Sequence, residues 1–79
     1  MKIKVELYGL LPRRFPDYNS KVGMEVSMPD GATVDDFLAC VGIPQAEAEL
    51  VIANGLPLRY NSKLKDKMCI HLFNVISGG

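Results

Sequence analysis

The chain is 79 residues long, one domain's worth, and at this length folding buries only about 60–65% of the surface the unfolded chain exposes. Its 48% hydrophobic residues therefore supply one small core. Nine Lys and Arg balance nine Asp and Glu for a formal net charge of zero, so no global field draws nucleic acid or an anionic membrane, and neither is expected as a partner.

Met1 leads straight into Lys2-Ile3-Lys4-Val5-Glu6-Leu7-Tyr8, a period-two alternation instead of a signal peptide. It predicts a strand with Ile3, Val5 and Leu7 on one face. With apolar runs too short for a spanning helix, a cytoplasmic domain is the expectation. Gly9 to Gly23, with Pro12, Arg13, Arg14, Pro16, Asp17 and Asn19, has loop composition. Val22, Met24, Val26 and Met28 alternate again, and this second strand is expected to pair with the first as an antiparallel hairpin.

Pro29-Asp30-Gly31 is a turn, and Thr33, three residues before Asp36, is a predicted helix N-cap. Val34, Phe37, Leu38 and Val41 form one helical stripe, which Gly42 ends and Pro44 keeps from continuing. One more helical turn is expected over 45–49. The run Leu50-Val51-Ile52-Ala53 has the character of a central strand buried on both faces. Asn54-Gly55 is the strongest turn signal, followed by a weak or edge strand around Pro57. Met68 to Phe73 alternate in a last strand. The order β-β-α-β-β-β predicts an α+β fold with one sheet face on the helix and the other toward solvent. The folded domain is expected over 1–73, with 74–79 as an extended tail.

The two cysteines, Cys40 and Cys69, are too few for a disulfide scaffold or a four-cysteine metal site. Each lies in an apolar stretch and is expected as a small buried thiol. His71 is the one histidine; it shares a strand face with Cys69 and Phe73, and without a carboxylate or second histidine beside it a surface or packing role is expected. No metal site is expected. Arg13 and Arg14 are read as solvated loop charges.

The ending Ser77-Gly78-Gly79 carries the most information. Two terminal glycines arise by chance in about 0.5% of chains, taking glycine at about 7% of residues, and here they serve no turn. One reading is a frayed terminus; the other is that a backbone without Cβ atoms can thread a partner's narrow channel and deliver a carboxylate. From Asn74 to Gly79, extended chain reaches about 20 Å. An ionised carboxylate is a poor electrophile, so it needs activation, most simply by adenylyl transfer from ATP. The sequence holds no phosphate-binding glycine loop and no spaced set of metal ligands, so the ATP site is expected on a partner and no cofactor on this chain.

Several short motifs, in order, resemble the sulfur carriers MoaD (molybdopterin synthase small subunit) and ThiS (thiamine synthesis). Thr33-Val34-Asp35-Asp36-Phe37-Leu38 is similar to their Thr-Val-x-x-Leu-Leu helix start, and Ala53-Asn54-Gly55 to their Val-Asn-Gly turn. Leu64-Lys65-Asp66 resembles a Leu-x-Asp that precedes Gly-Asp in the family, where Lys67-Met68 stand here. Phe73-Asn74-Val75-Ile76-Ser77-Gly78-Gly79 is similar to MoaD's Phe-Pro-Pro-Val-Ser-Gly-Gly, with Asn74 and Val75 in place of the prolines.

This resemblance, closer to MoaD, implies a β-grasp (ubiquitin-like) fold: a mixed sheet on one main helix with a flexible Gly-Gly tail. It implies a sulfur carrier, not an enzyme alone. A ubiquitin-activating-type adenylyltransferase using ATP would act on Gly79, with Gly78 beside it, and a thiocarboxylate would follow. A molybdopterin synthase large subunit would be the sulfur acceptor. Carriers for thiamine synthesis or transfer-RNA thiolation, and ubiquitin-like protein modifiers, share this chemistry. Phe73, Ile76, Ser77 and Leu58 are the expected partner contacts. Phe73, Leu58 and the Leu10-Leu11 pair are candidates either for a docking patch or for completing the core.

Overall fold

In the computed structural model, which describes residues 1–19 and 21–74, Ile3, Val5 and Leu7 turn into the core at 4% exposure or less. They belong to strand β1 (Lys2–Leu7). Strand β2 (Met24–Ser27) pairs antiparallel with β1, Lys2 opposite Ser27 and Val5 opposite Met24. The second strand is shorter than its alternation predicts. The Asn19 carbonyl accepts from the Val22 and Gly23 N–H groups, a tight turn that leaves Val22 exposed. Gly23 has φ +69°, and a Cβ there would sit 2.6 Å from the Val5 carbonyl oxygen, so only glycine lets the chain join β1 at this point. In the connecting loop, Leu11–Arg14 form a 3-10 turn.

Helix α1 (Val34–Val41) begins as the sequence predicts. Thr33 Oγ1 accepts from the Asp36 N–H at 3.2 Å, and Asp36 Oδ2 accepts from the Thr33 N–H at 2.9 Å, a reciprocal cap built on Asp in place of the usual Glu or Gln. Val34, Phe37 and Leu38 are buried. Gly42, at φ +78°, closes the helix by donating to the Leu38 carbonyl, as a left-handed terminal residue does. Residues 45–49 make a turn on the Pro44 carbonyl, and no helix is assigned there.

Strands β3 (Leu50–Ala53) and β4 (Leu56–Pro57) flank Asn54-Gly55, at φ +54° and +75°, the hairpin geometry this pair favours. Strand β5 (Cys69–Phe73) lies between β1 and β3 in the order β2-β1-β5-β3-β4, parallel to β1 and antiparallel to β3. The central strand is thus β5, and the expectation of a doubly buried β3 is corrected. Val51 and Ala53 are buried, Leu50 is 39% exposed and Ile52 half-buried. The reason is that α1 covers one sheet face, and none of the named elements covers the other.

The loop before β5 is pinned to the start of β1. Asp66 Oδ1 accepts from the Lys2 N–H at 2.9 Å, and the Lys67 N–H donates to the Lys2 carbonyl at 2.8 Å. Lys67 has φ +65°, the left-handed region that suits the glycine found there in the MoaD-like motif. The Lys2 N–H holds the Asp66 carboxyl below its ordinary value, with smaller help from the N-terminal ammonium and Lys67. A carboxyl with a depressed folded pKa stabilises the fold above its unfolded pKa of about 3.9 and loses that contribution as pH falls through the folded value. Asp66→Asn is therefore expected to be less stable than wild type at neutral pH, with the gap closing below pH about 4. Urea midpoints across pH 2–7, a range chosen to bracket that value, check this; a pH-independent gap would refute it.

Candidate functional site on the open sheet face

The parallel register of β1 and β5 places Glu6 opposite His71 and Lys4 opposite Cys69. Because alternate residues of a strand share a face, the buried Val5, Leu7, Ile70 and Leu72 leave Lys4, Glu6, Cys69, His71 and Phe73 on the open side. His71 Nδ1 lies 2.8 Å from Glu6 Oε2 and 3.3 Å from the Tyr8 hydroxyl, while Nε2 is 3.9 Å from Cys69 Sγ. Tyr8 stacks on Phe73, ring centroids 4.5 Å apart and planes within 7°. Leu50 pairs across the strands with Phe73, and Ile52 with His71, so an apolar strip borders a polar cluster.

Burial, and then the Glu6 charge, push the Cys69 thiol up; Lys4 opposes weakly. The thiol form is favoured, which makes Cys69 a poor nucleophile. The same two causes, in the same order, raise Tyr8. Both the Cys69 thiol and the Tyr8 hydroxyl are thus held in their protonated forms.

The chain leaves this face at a defined point. The Tyr8 N–H donates to the Leu72 carbonyl at 3.0 Å, and Asn74 Nδ2 donates to the Glu47 carbonyl at 3.1 Å. Gly9 packs so closely that a Cβ would lie 2.6 Å from the Asn74 carbonyl oxygen. Asn74 thus holds the chain end to the 45–49 turn, where the MoaD motif carries a stiff proline.

The residues singled out from sequence divide. Phe73 is half-buried on the open face, stacked on Tyr8. Leu58 is half-buried and packs against the core. Leu10 is 42% exposed, whereas Leu11 is fully inside. Ile76, Ser77, Gly78 and Gly79 lie outside the described residues. Both cysteines are free thiols, and the expectation that both are buried is corrected: Cys40 is exposed and Cys69 half-buried, since α1 turns Cys40 away from its apolar stripe. Arg14 pairs with Glu47 instead of standing free in solvent.

No protein-family profile matches the chain, and no curated protein sequence does. Solved structures do. SAMP1 from Haloferax volcanii superposes with a TM-score of 0.73 at 22% identity, over 100% of both chains. A Pyrococcus furiosus protein described as molybdopterin converting factor, subunit 1, superposes at 0.69 with 19% identity, over 96% of this chain and 99% of its own. The fold is the ubiquitin-like β-grasp. At these identities the likeness establishes the β-grasp architecture, a mixed five-stranded sheet on one helix, as the motifs implied. Among the described residues, no helix is long and apolar enough to cross a membrane.

The sequence reading missed the β-grasp face as an assembled site. Glu6 supplies the carboxylate that His71 lacked in the linear chain, and Glu6, Cys69 and His71 form a cluster of potential metal ligands where none was expected. Alternation put Glu6 and Tyr8 on the polar side of the first strand and His71 on the outer side of the last. What alternation lacks is the pairing of first and last strands, which is a long-range contact.

Proposed function

We propose that this chain is a sulfur-carrier protein whose working group is the Gly79 carboxylate. The observation that carries the reading is the conjunction of a β-grasp domain with the ending Phe73-Asn74-Val75-Ile76-Ser77-Gly78-Gly79, which begins at the last residue of β5. In this reading a ubiquitin-activating-type partner transfers an adenylyl group from ATP to Gly79, releasing pyrophosphate. The terminal sulfur of a persulfide then displaces AMP, and a thiol cleaves the resulting acyl disulfide to free the thiocarboxylate. The chain itself supplies no ATP site and acts as a carrier instead of an enzyme, working in the cytoplasm.

The β-grasp face is the docking surface in this scheme, with Phe73 and Tyr8 as its aromatic centre and Leu50 and Ile52 beside them. Stacked aromatics flanked by aliphatics are what an interface core uses. Leu58 supports this surface from the core side, while Ile76 and Ser77 enter the partner's channel ahead of Gly78 and Gly79. The likeness to a protein described as molybdopterin converting factor subunit 1 favours molybdopterin biosynthesis, with a molybdopterin synthase large subunit as acceptor. Thiamine synthesis and transfer-RNA thiolation use the same chemistry.

The test is intact mass after incubation with ATP, a cognate activating enzyme and a sulfur donor. Replacement of one oxygen by sulfur at Gly79 is the expected result. An unmodified mass, with the enzyme shown competent on another carrier, would refute it. A ubiquitin-like modifier is the second reading, since the same adenylate meets a lysine amine instead of sulfur. Tail-derived isopeptide adducts on lysines in a digest of host lysate would favour it.

A further inference from the structure

The polar half of the open face has a composition that sulfur carriage does not use. We propose that Cys69 Sγ, His71 Nε2 and the Glu6 carboxylate form a binding site for a divalent transition-metal ion of the zinc class, with the fourth position open to solvent.

The three ligands come from two neighbouring strands, so no backbone movement is needed to assemble them. Cys69 and His71 are two apart on β5 and share its outer side, and Glu6 sits opposite His71 on β1. One ligand atom from each lies within 4.8 Å of the others. With metal–sulfur and metal–nitrogen distances of about 2.3 and 2.0 Å, a tetrahedral ion holds sulfur and nitrogen about 3.5 Å apart. Sγ and Nε2 already stand at 3.9 Å.

In this structure Glu6 faces His71 Nδ1, so its side chain rotates to reach an ion on Nε2. When Glu6 turns to the ion, the His71 Nδ1–H, which keeps its proton, donates its hydrogen bond to the Tyr8 hydroxyl oxygen, 3.3 Å away in this structure. That contact fixes the tautomer with Nε2 free, as second-shell partners of ligating histidines do. A thiolate, an imidazole and a carboxylate together select zinc, cobalt or nickel over magnesium and calcium. The thiolate and Glu6 carry two negative charges, which match the dication. On binding, the Cys69 thiol proton leaves to solvent, and no electron is transferred. Lys4 stands opposite Cys69 and is exposed, and its positive charge favours the thiolate form that a metal needs. Cys40, alone on α1, has no such company and serves as the control.

The experiment titrates Co2+ into the reduced full chain and follows the near-ultraviolet thiolate-to-cobalt absorption. The expected result is a band saturating at one ion per chain and displaced by Zn2+. Cys69→Ser is expected to abolish it and Cys40→Ser to leave it intact. His71→Gln and Glu6→Gln are each expected to weaken binding about tenfold or more, the scale seen when a group around a metal is removed. Far-UV circular dichroism establishes that each variant is folded. A readout on the unaltered chain is the His71 ring resonances, which should shift on adding Zn2+. No band and no His71 shift would overturn the proposal. So would a band that survives Cys69→Ser, one lost in Cys40→Ser, or one indifferent to both Gln variants.

Discussion

Phe37→Ala is expected to remove a large share of the stability of the domain. Phe37 is fully buried in α1, the largest of the side chains enclosed in the core, and lies in the same cluster as Ile3, Val5, Ile70 and Leu72 of the sheet. Truncating such a ring costs about 3–5 kcal/mol, part transfer free energy and part cavity. A domain of this size has about 4–12 kcal/mol in total. Urea denaturation should show a clearly lower midpoint for the alanine variant. Phe37→Leu, which keeps most of the volume, should cost about 1.5 kcal/mol or less. A midpoint for Phe37→Ala within experimental error of wild type would mean that the helix stripe does not hold the sheet.

The second large effect concerns activity with the fold unchanged. Removing Gly79 is expected to lower ATP-dependent activation at least about a hundredfold. The shortened chain presents its carboxylate about 3.3 Å further back, and misplacing a reacting group by even about 1 Å costs on the order of a hundredfold. Among the described residues the buried core lies between Ile3 and Leu72, so the urea midpoint should not move. Pyrophosphate exchange by the activating enzyme reads the first effect, and denaturation the second. Undiminished exchange with an unchanged midpoint would exclude Gly79 as the acceptor and, with it, the carrier reading. The metal site is independent of this outcome, because its ligands all lie within the folded sheet.

The two experiments fall on different kinds of information. The helix is local in every respect: Thr33 and Asp36 cap it within one turn, Phe37 and Leu38 sit on one stripe, and Gly42 ends it. The alternation of β1 and the Asn54-Gly55 turn are also local, since period-two alternation and left-handed turn residues act through near neighbours. These were legible in the residues, as was the ending Ser77-Gly78-Gly79 on which the proposed function rests.

Tertiary structure alone decided the rest. The linear chain separates Glu6 from His71 and Tyr8 from Phe73 by the whole domain, and only the parallel pairing of β1 with β5 joins them. That pairing depends on how the sheet packs over α1, a long-range arrangement that no local period encodes. β3 shows the same limit. Its apolar run is compatible with burial on both faces or on one, and the single helix leaves Leu50 and Ile52 on the open side. Lys67 takes a left-handed conformation because its N–H reaches the Lys2 carbonyl, a constraint imposed by the far end of the chain. The sequence by itself determined α1 with its caps, the Asn54-Gly55 turn and the alternation of β1. Strand order across the molecule decided the face that surrounds the exit of the tail, because residues distant in sequence become neighbours only when the sheet closes.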